Sequence, residues 1–218
     1  MKLKALLFLL VILPASFLFS LDNYPGIVSG SDLKRLENRV VEVDFRLQRF
    51  KDGSETLLYA WSDFHGVIDI DIDSLAEVIA DHDNGEKVFS RMIETIDLDP
   101  DLPLSAPHRQ WVHNSARFMG IGQDYKYTTI LNIEHPSENE FVMYWTMTDI
   151  EEGNFREYAG FWYLNKLEPS DAPPRTYIRL YAETVFDNII PMQMTVMNMF
   201  TAGETRDVFR SIYKAARK

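Results

Sequence analysis

The segment from Val112 to Phe186 leaves the chain few folding options. Apolar and polar residues alternate along it in runs, and turn chemistry separates the runs: His135-Pro136-Ser137, Glu152-Gly153-Asn154 and Asp171-Ala172-Pro173-Pro174. Alternation with a period of two places one set of side chains on a buried face and the other on the opposite face. The runs predict strands near Val112–Gln123, Tyr125–Glu134, Glu140–Thr148, Arg156–Leu167 and Thr176–Phe186. Nothing between them is long enough for a helix, so successive strands join as antiparallel neighbours in a meander.

The upstream half adds two strands and two short helices. Ser29 to Asn38 reads as a short helix with Leu33 and Leu36 on one face. Val41, Val43, Phe45 and Leu47 then alternate with Glu42, Asp44, Arg46 and Gln48, and Asp52-Gly53 predicts a hairpin turn into a return strand from Thr56 towards Ile70. Ser74 and Glu77 have the spacing of a capping box before Leu75, Val78 and Ile79. The stretch Asp81-His82-Asp83-Asn84-Gly85 breaks that helix, and Glu86 to Met92 reads as a second one, followed by a proline-rich loop from Asp97 to Pro107. Gly85 is expected at positive φ as the terminator.

The chain closes on a single long helix, from about Ile190 to Ala216, with Pro191 in its first turn. Its first half holds Met192, Met194, Met197 and Met199, four of the nine methionines. Helical spacing groups Met192, Val196, Met199 and Phe200 near one face and Ile190, Met194, Met197 and Thr201 near the next. Two readings are open. The arc packs on the sheet as ordinary core, or it packs there and also lines a cavity, for which soft, unbranched methionine is suited.

Composition narrows the chemistry. Lys2 and Lys4 precede the apolar run Ala5 to Phe19, with Ser20 after it. This reads as a secretory signal over residues 1–20, since the run is short of the roughly 20 residues that span a bilayer. An uncleaved N-terminal membrane anchor is the alternative. Export to a bacterial periplasm or to the medium is the expected localisation. The chain contains no cysteine, which excludes disulfides, thiolate metal sites and a cysteine nucleophile. Net charge is −11, or −13 without Lys2 and Lys4, which disfavours nucleic acid as a partner. Arg206, Arg210, Lys214, Arg217 and Lys218 collect at the end, as suits a helix C-terminus, with transient membrane contact as the other reading.

The five histidines form no ligand pair at metal spacing. The acidic run from Asp69 puts Ser74 and Ala80 where an EF-hand needs Gly and Glu. No G-x-S-x-G and no phosphate-binding glycine loop occurs. No catalytic residue, metal or cofactor is therefore assigned, and the chain is expected as a monomer.

The order of elements is similar to that of the START / polyketide cyclase-like superfamily, the helix-grip fold. "VIDIDIDSLAEVIADHDNGEKVFSRM" resembles the family's strand and split helix pair, with Asp81 at the break. "REYAGFWYLNKLEP" resembles its aromatic penultimate strand, and "TYIRLYAETVFDNIIPMQM" its last strand running into the long helix. The resemblance covers residues 55 to 217 and leaves residues 21–54 as an added helix and strand. It implies an α+β fold in which a curved antiparallel sheet wraps the C-terminal helix, with two short helices after the first core strand. It also implies a cavity between sheet and helix for a lipid or other hydrophobic small molecule.

On that resemblance Met143, Trp145, Tyr158 and Trp162 are candidate ligand-binding residues from the strands, with Met194 and Met197 from the helix. Tyr177, Arg179, Tyr181 and Glu183 share a strand face. They either point outward into solvent, or Arg179 and Glu183 point inward, where burial would demand a partner and Arg179 would meet a ligand head group; on that second reading Arg179 and Tyr181 are candidate ligand-binding residues too. A non-enzymatic binder, with a role in lipid transfer, is the leading expectation. A cyclase- or hydrolase-type enzyme for a hydrophobic substrate and a protein-interaction module are the alternatives.

Overall fold

The computed structural model describes residues 24–81, 83, 85–89, 91–118, 121–167, 173–189 and 192–217. The expected signal segment, residues 1–20, and Ile190–Pro191 lie outside these; the last helix, expected from about Ile190 with Pro191 in its first turn, begins instead at Gln193, because its cap Met192 takes the left-handed conformation, φ 64°. Eight strands run β1 (Val40–Asp52), β2 (Glu55–Ile68), β3 (Met92–Asp97), β4 (His108–Phe118), β5 (Ile121–Glu134), β6 (Glu140–Glu152), β7 (Phe155–Leu167) and β8 (Arg175–Phe186). Between β2 and β3 lie α1 (Ile72–Ile79) and α2 (Gly85–Val88), and α3 (Gln193–Ala216) ends the chain.

All eight strands form one curved antiparallel sheet in the order β1-β2-β8-β7-β6-β5-β4-β3. The meander expected from the alternation is present, and β8 returns to pair with β2 from Leu58↔Phe186 to Ile68↔Thr176. That pairing places the last strand before α3 in the middle of the sheet. The helix therefore lies across the concave face, where Phe209 and Ile212 are buried against Trp162, Leu164 and Ile178. This is the helix-grip arrangement, and it positions everything described below.

Five local expectations are corrected. The strand expected over Val112–Gln123 is divided: β4 ends at Phe118 and β5 begins at Ile121, so Ala116 pairs with Gln123 across a hairpin. Ser29–Asn38 forms turns, not a helix, and Glu37 makes a parallel bridge to Val67. The cap of α1 is Asp71, whose side chain accepts from the Ser74 backbone N–H at 2.8 Å and the Ser74 hydroxyl at 2.8 Å. Ser74 sits inside the helix because Ile72 already belongs to its first turn. The second helix is only four residues long, and Met92, expected at its end, begins an edge strand. Gly85 opens α2 instead of terminating α1, and it is not among the glycines at positive φ. A Cβ there would sit 2.8 Å from Met92 Sδ and 3.0 Å from Thr95 Cγ2, so close packing is what requires glycine.

The convex face is also buried, which nothing in the alternation indicates. Leu36 packs there with Val67, Val142, Phe161, Tyr163 and Tyr177. The segment from Tyr24 to Leu36 runs over this face and is tied to it by hydrogen bonds from Arg179 to the Tyr24 and Gly26 carbonyls.

Candidate functional site

Between the concave face and α3 lies a cavity of about 300 Å³. The sheet supplies most of its wall. Register places Met143 opposite Trp162 and Trp145 opposite Gly160, so β6 and β7 present their aromatic residues to one side. Gly160 matters here because a Cβ would lie 2.3 Å from Trp145 Cζ2; the indole occupies the space a side chain would take. Ile79 of α1, Phe89 after α2, and Thr205 and Val208 of α3 close the other side.

Rings connect the wall. Trp145 and Tyr158 have centroids 5.8 Å apart, and Tyr158 meets Tyr127 edge-on at 5.7 Å. Trp162 touches Phe89 at 6.5 Å and Phe209 at 5.5 Å. Such contacts fix ring orientation as well as burying area.

A polar strip interrupts the apolar wall: Gln110 and Asn114 of β4 and Tyr127 and Thr129 of β5. Asn114 Nδ2 donates to the Tyr127 hydroxyl at 2.7 Å. Burial pushes the Tyr127 phenol well above its usual value and that of Tyr158 up to about 12. Both therefore stay protonated at neutral pH and act as hydrogen-bonding groups, not as bases. At the exposed end Arg91 of the turn before β3 pairs with Glu204 of α3, both side chains being about 40% exposed. Among the described residues no group of three or more His, Asp or Glu side chains could hold a metal ion, and no helix is long and apolar enough to cross a membrane.

The expected site residues divide into three sets. Met143, Trp145, Tyr158 and Trp162 line the cavity together. Met194 and Met197 pack beside it, against the cluster containing Leu58, Tyr125, Tyr127 and Phe186, and are not among the lining residues. The methionine arc is split, because Met192 and Met199 are 59% and 65% exposed.

Arg179 and Tyr181 lie on the opposite face of the sheet from the cavity, and neither expected alternative describes them. They face away from the ligand side yet are 4% and 1% exposed. Arg179 makes a two-pronged pair with Asp63, Nε to Oδ1 at 2.8 Å and Nη2 to Oδ2 at 2.6 Å. Its Nη1 donates to the carbonyls of Tyr24 (3.1 Å) and Gly26 (3.2 Å). Tyr181 donates to Glu183 Oε1 at 2.6 Å, and Tyr59 donates to Oε2. Burial, then Glu183, pushes both tyrosines upward.

Sequence reasoning passed over the lining residues Gln110, Asn114, Tyr127 and Thr129. Their shared parity was the available signal: register pairs Gln110 with Thr129 and Val112 with Tyr127. Polar side chains on that face concealed it.

No family model matches the sequence, and no curated protein matches it. Solved structures do. Human StAR-related lipid transfer protein 5 superposes with a TM-score of 0.55 at 8% identity, over 78% of this chain and 86% of that one. A STAR-related lipid transfer protein from Xanthomonas axonopodis gives 0.57 at 11%, over 79% and 99%. The Zhui aromatase/cyclase from a Streptomyces species gives 0.54 at 10%, over 73% and 94%. At these identities the likeness establishes the START-like fold and nothing finer.

Proposed function

We propose that this START-like chain binds a lipid or other hydrophobic small molecule in the cavity under α3. One observation carries the reading: a space of about 300 Å³, walled largely by aromatic and aliphatic side chains, lies inside the domain. Its size is at the lower end of the ~300–1,000 Å³ typical of small-molecule sites. Two of the structural neighbours are named as lipid transfer proteins, which agrees with this choice. A leader at residues 1–20 would make the protein an exported carrier, periplasmic or secreted, that acts as a monomer and touches membranes only transiently.

The aromatase/cyclase neighbour keeps an enzymatic use of the same cavity as the second reading. The tyrosines lining it are held protonated by burial, which suits positioning a substrate better than removing a proton from it. Native mass spectrometry of the protein purified from its own host tests the first reading. One hydrophobic molecule per chain, released unchanged on denaturation, is the expected result. A persistently empty protein that converts an added polyketide-like substrate would replace it with the second.

A further inference from the structure

The N-terminal segment is held to the convex face in two different ways. Its trailing end is held by packing and by backbone bonds. Leu36 is 5% exposed among Val67, Phe161 and Tyr177. Asn38 N–H donates to the Val67 carbonyl at 2.9 Å, and Val67 N–H donates to that of Leu36 at 3.2 Å. The leading end has no such anchor: Tyr24 is 73% and Ile27 40% exposed, and no residue from 24 to 30 is buried. Among the described residues three polar contacts tie it to the sheet. Val28 N–H donates to the Tyr177 hydroxyl at 3.2 Å, and Arg179 Nη1 donates to the carbonyls of Tyr24 and Gly26. Gly30, at φ 75° and with open space where a Cβ would stand, separates the two ends. A segment held by so little apolar contact opens locally long before the domain unfolds.

His65 decides one of the three contacts. The Tyr177 phenol is fully buried, and burial pushes it up to about 12, so it keeps its proton. Its oxygen accepts from Val28 N–H, and the acceptor for its own proton is His65 Nδ1 at 2.9 Å. This assigns the neutral ring with its proton on Nε2. A proton on Nδ1 reverses the bond: the ring becomes a donor, and the phenol must turn its own proton away from it inside a buried layer. The new charge also joins the layer of Arg179. Asp63 is the anion there, and both its oxygens already take the guanidinium, at 2.8 and 2.6 Å. The other charged groups of the surrounding elements are directed elsewhere. Asp32, Lys34, Arg35, Arg39 and Glu42 are exposed, Glu37 pairs with Arg175, and Asp44 pairs with Arg46. Tyr163 of β7, which meets Tyr177 edge-on, donates its hydroxyl to Glu140 at 2.6 Å.

We propose that Tyr24 to Gly30 forms an acid-released clasp: it lies on the sheet while His65 is neutral, and protonation of His65 frees it about Gly30 while the Leu36 end stays docked. The sign of the effect follows from the site. Burial holds the docked ring below its ordinary value of 6.5, with Asp63 opposing and Arg179 adding to the shift. The released state therefore takes the proton first. Docking is complete above that ordinary value and is lost as pH falls below it. Release uncovers Tyr177 and Arg179 on the face opposite the cavity, so the inference does not depend on what the cavity binds.

Amide exchange on the full chain at about pH 7 and about pH 5, corrected for intrinsic rates, tests the clasp. Val28 N–H should be protected at the higher pH and lose about ten-fold of that protection at the lower, the scale of one buried hydrogen bond. Asn38 and Val67 should keep theirs. The midpoint of the Val28 change should coincide with that of the His65 ring followed by NMR. His65→Asn supplies an amide oxygen to accept from Tyr177 and does not titrate, so Val28 should stay protected at both pH values; retained protection at Val67 shows that the variant folds. An unprotected Val28 at the higher pH, or equal protection at both, overturns the clasp. Loss shared by Asn38 and Val67 replaces it with general acid unfolding. An undiminished acid response in His65→Asn also overturns it. Should that variant fail to fold, the two midpoints in the parent decide: coincidence supports the His65 trigger, and separation overturns it.

Discussion

Arg179→Met separates a structural arginine from a ligand-binding one. The guanidinium and the Asp63 carboxylate are 5% and 6% exposed, joined by hydrogen bonds of 2.8 and 2.6 Å. Removing one partner of such a pair leaves a charge buried without compensation, a loss of about 3–5 kcal/mol. For a domain of this size about 1 kcal/mol moves the melting temperature by roughly 2–4 °C, so a drop on the order of 6–20 °C is expected. Asp63→Leu alone should fall in the same range. The double variant removes both charges and should recover more than half of the loss. Recovery stays incomplete because Arg179 also donates to the carbonyls of Tyr24 and Gly26, and those contacts go in either case. Thermal unfolding of the four proteins, followed by circular dichroism, gives the cycle, and probe binding measured below the transition gives the control. Binding should be unchanged, since Arg179 lies on the far side of the sheet. Were Arg179→Met to melt within about 2 °C of the parent while losing ligand, the arginine would be a head-group contact and the convex cluster would not be what stabilises this face.

The methionine run should divide by position. Met199→Ala, at a site 65% exposed, should shift stability by no more than about 0.5 kcal/mol, while Met197→Ala, packed near Tyr127 and Phe186, should cost about 2 kcal/mol in urea unfolding. Equal effects would mean the helix face is wrongly assigned. Gly85→Val should cost about 1–3 kcal/mol, because its new atoms press on Met92 and Thr95; a neutral result would show that α2 shifts freely. His65, bonded through Nδ1 to the Tyr177 hydroxyl at 2.9 Å, has its pKa lowered, chiefly by burial and in part by Arg179, against an opposing effect of Asp63. The unfolded chain binds that proton first, so stability is full above the ordinary value of 6.5 and declines as pH falls below it. His65→Asn should flatten this part of the profile, read as the denaturant midpoint at about pH 7 and about pH 5; an unaltered slope would assign the acid sensitivity to other groups.

How far the sequence reaches is visible strand by strand. Strands β6 to β8 were legible because each combines period-two alternation with a turn residue at its end, and both signals are local; the division of β4 from β5 was not, since alternation runs on from Phe118 to Ile121 and past it. Strand β3 was not legible either. It lies on the sheet edge, and Ile93 and Ile96, three residues apart, show no period-two alternation; an irregularity between Met92 and Glu94 leaves both exposed, at 50% and 42%, with Thr95 buried. The cap of α1 was displaced for a related reason: Asp71 and Ser74 are both cap formers three residues apart, and only packing of Ile72 decides which one starts the helix. Half the candidate site was readable, since Met143, Trp145, Tyr158 and Trp162 share a face on adjacent strands whose register follows from the Glu152-Gly153-Asn154 turn.

The face carrying Tyr177, Arg179, Tyr181 and Glu183 shows why the other half was not readable. Its alternation with Ile178, Leu180 and Ala182 correctly divides β8 into two faces. What alternation cannot supply is the fate of the polar face, because that depends on a segment distant in sequence. Val28 N–H reaches the Tyr177 hydroxyl at 3.2 Å across 149 residues, and the Tyr24 carbonyl reaches Arg179 across 155. Once covered, each polar group needs a partner in the same layer, and β2 provides them diagonally across the register: His65 for Tyr177, Asp63 for Arg179 and Tyr59 for Glu183. Those β2 partners alternate with Phe64 and other apolar residues in the same way, so two strands that each look half solvated form a buried layer when paired beneath a third segment. The charge on β8 thus belongs to attachment of the N-terminal segment. The neutral polar strip of β4 and β5 lies on the other side of the sheet, where it lines the cavity.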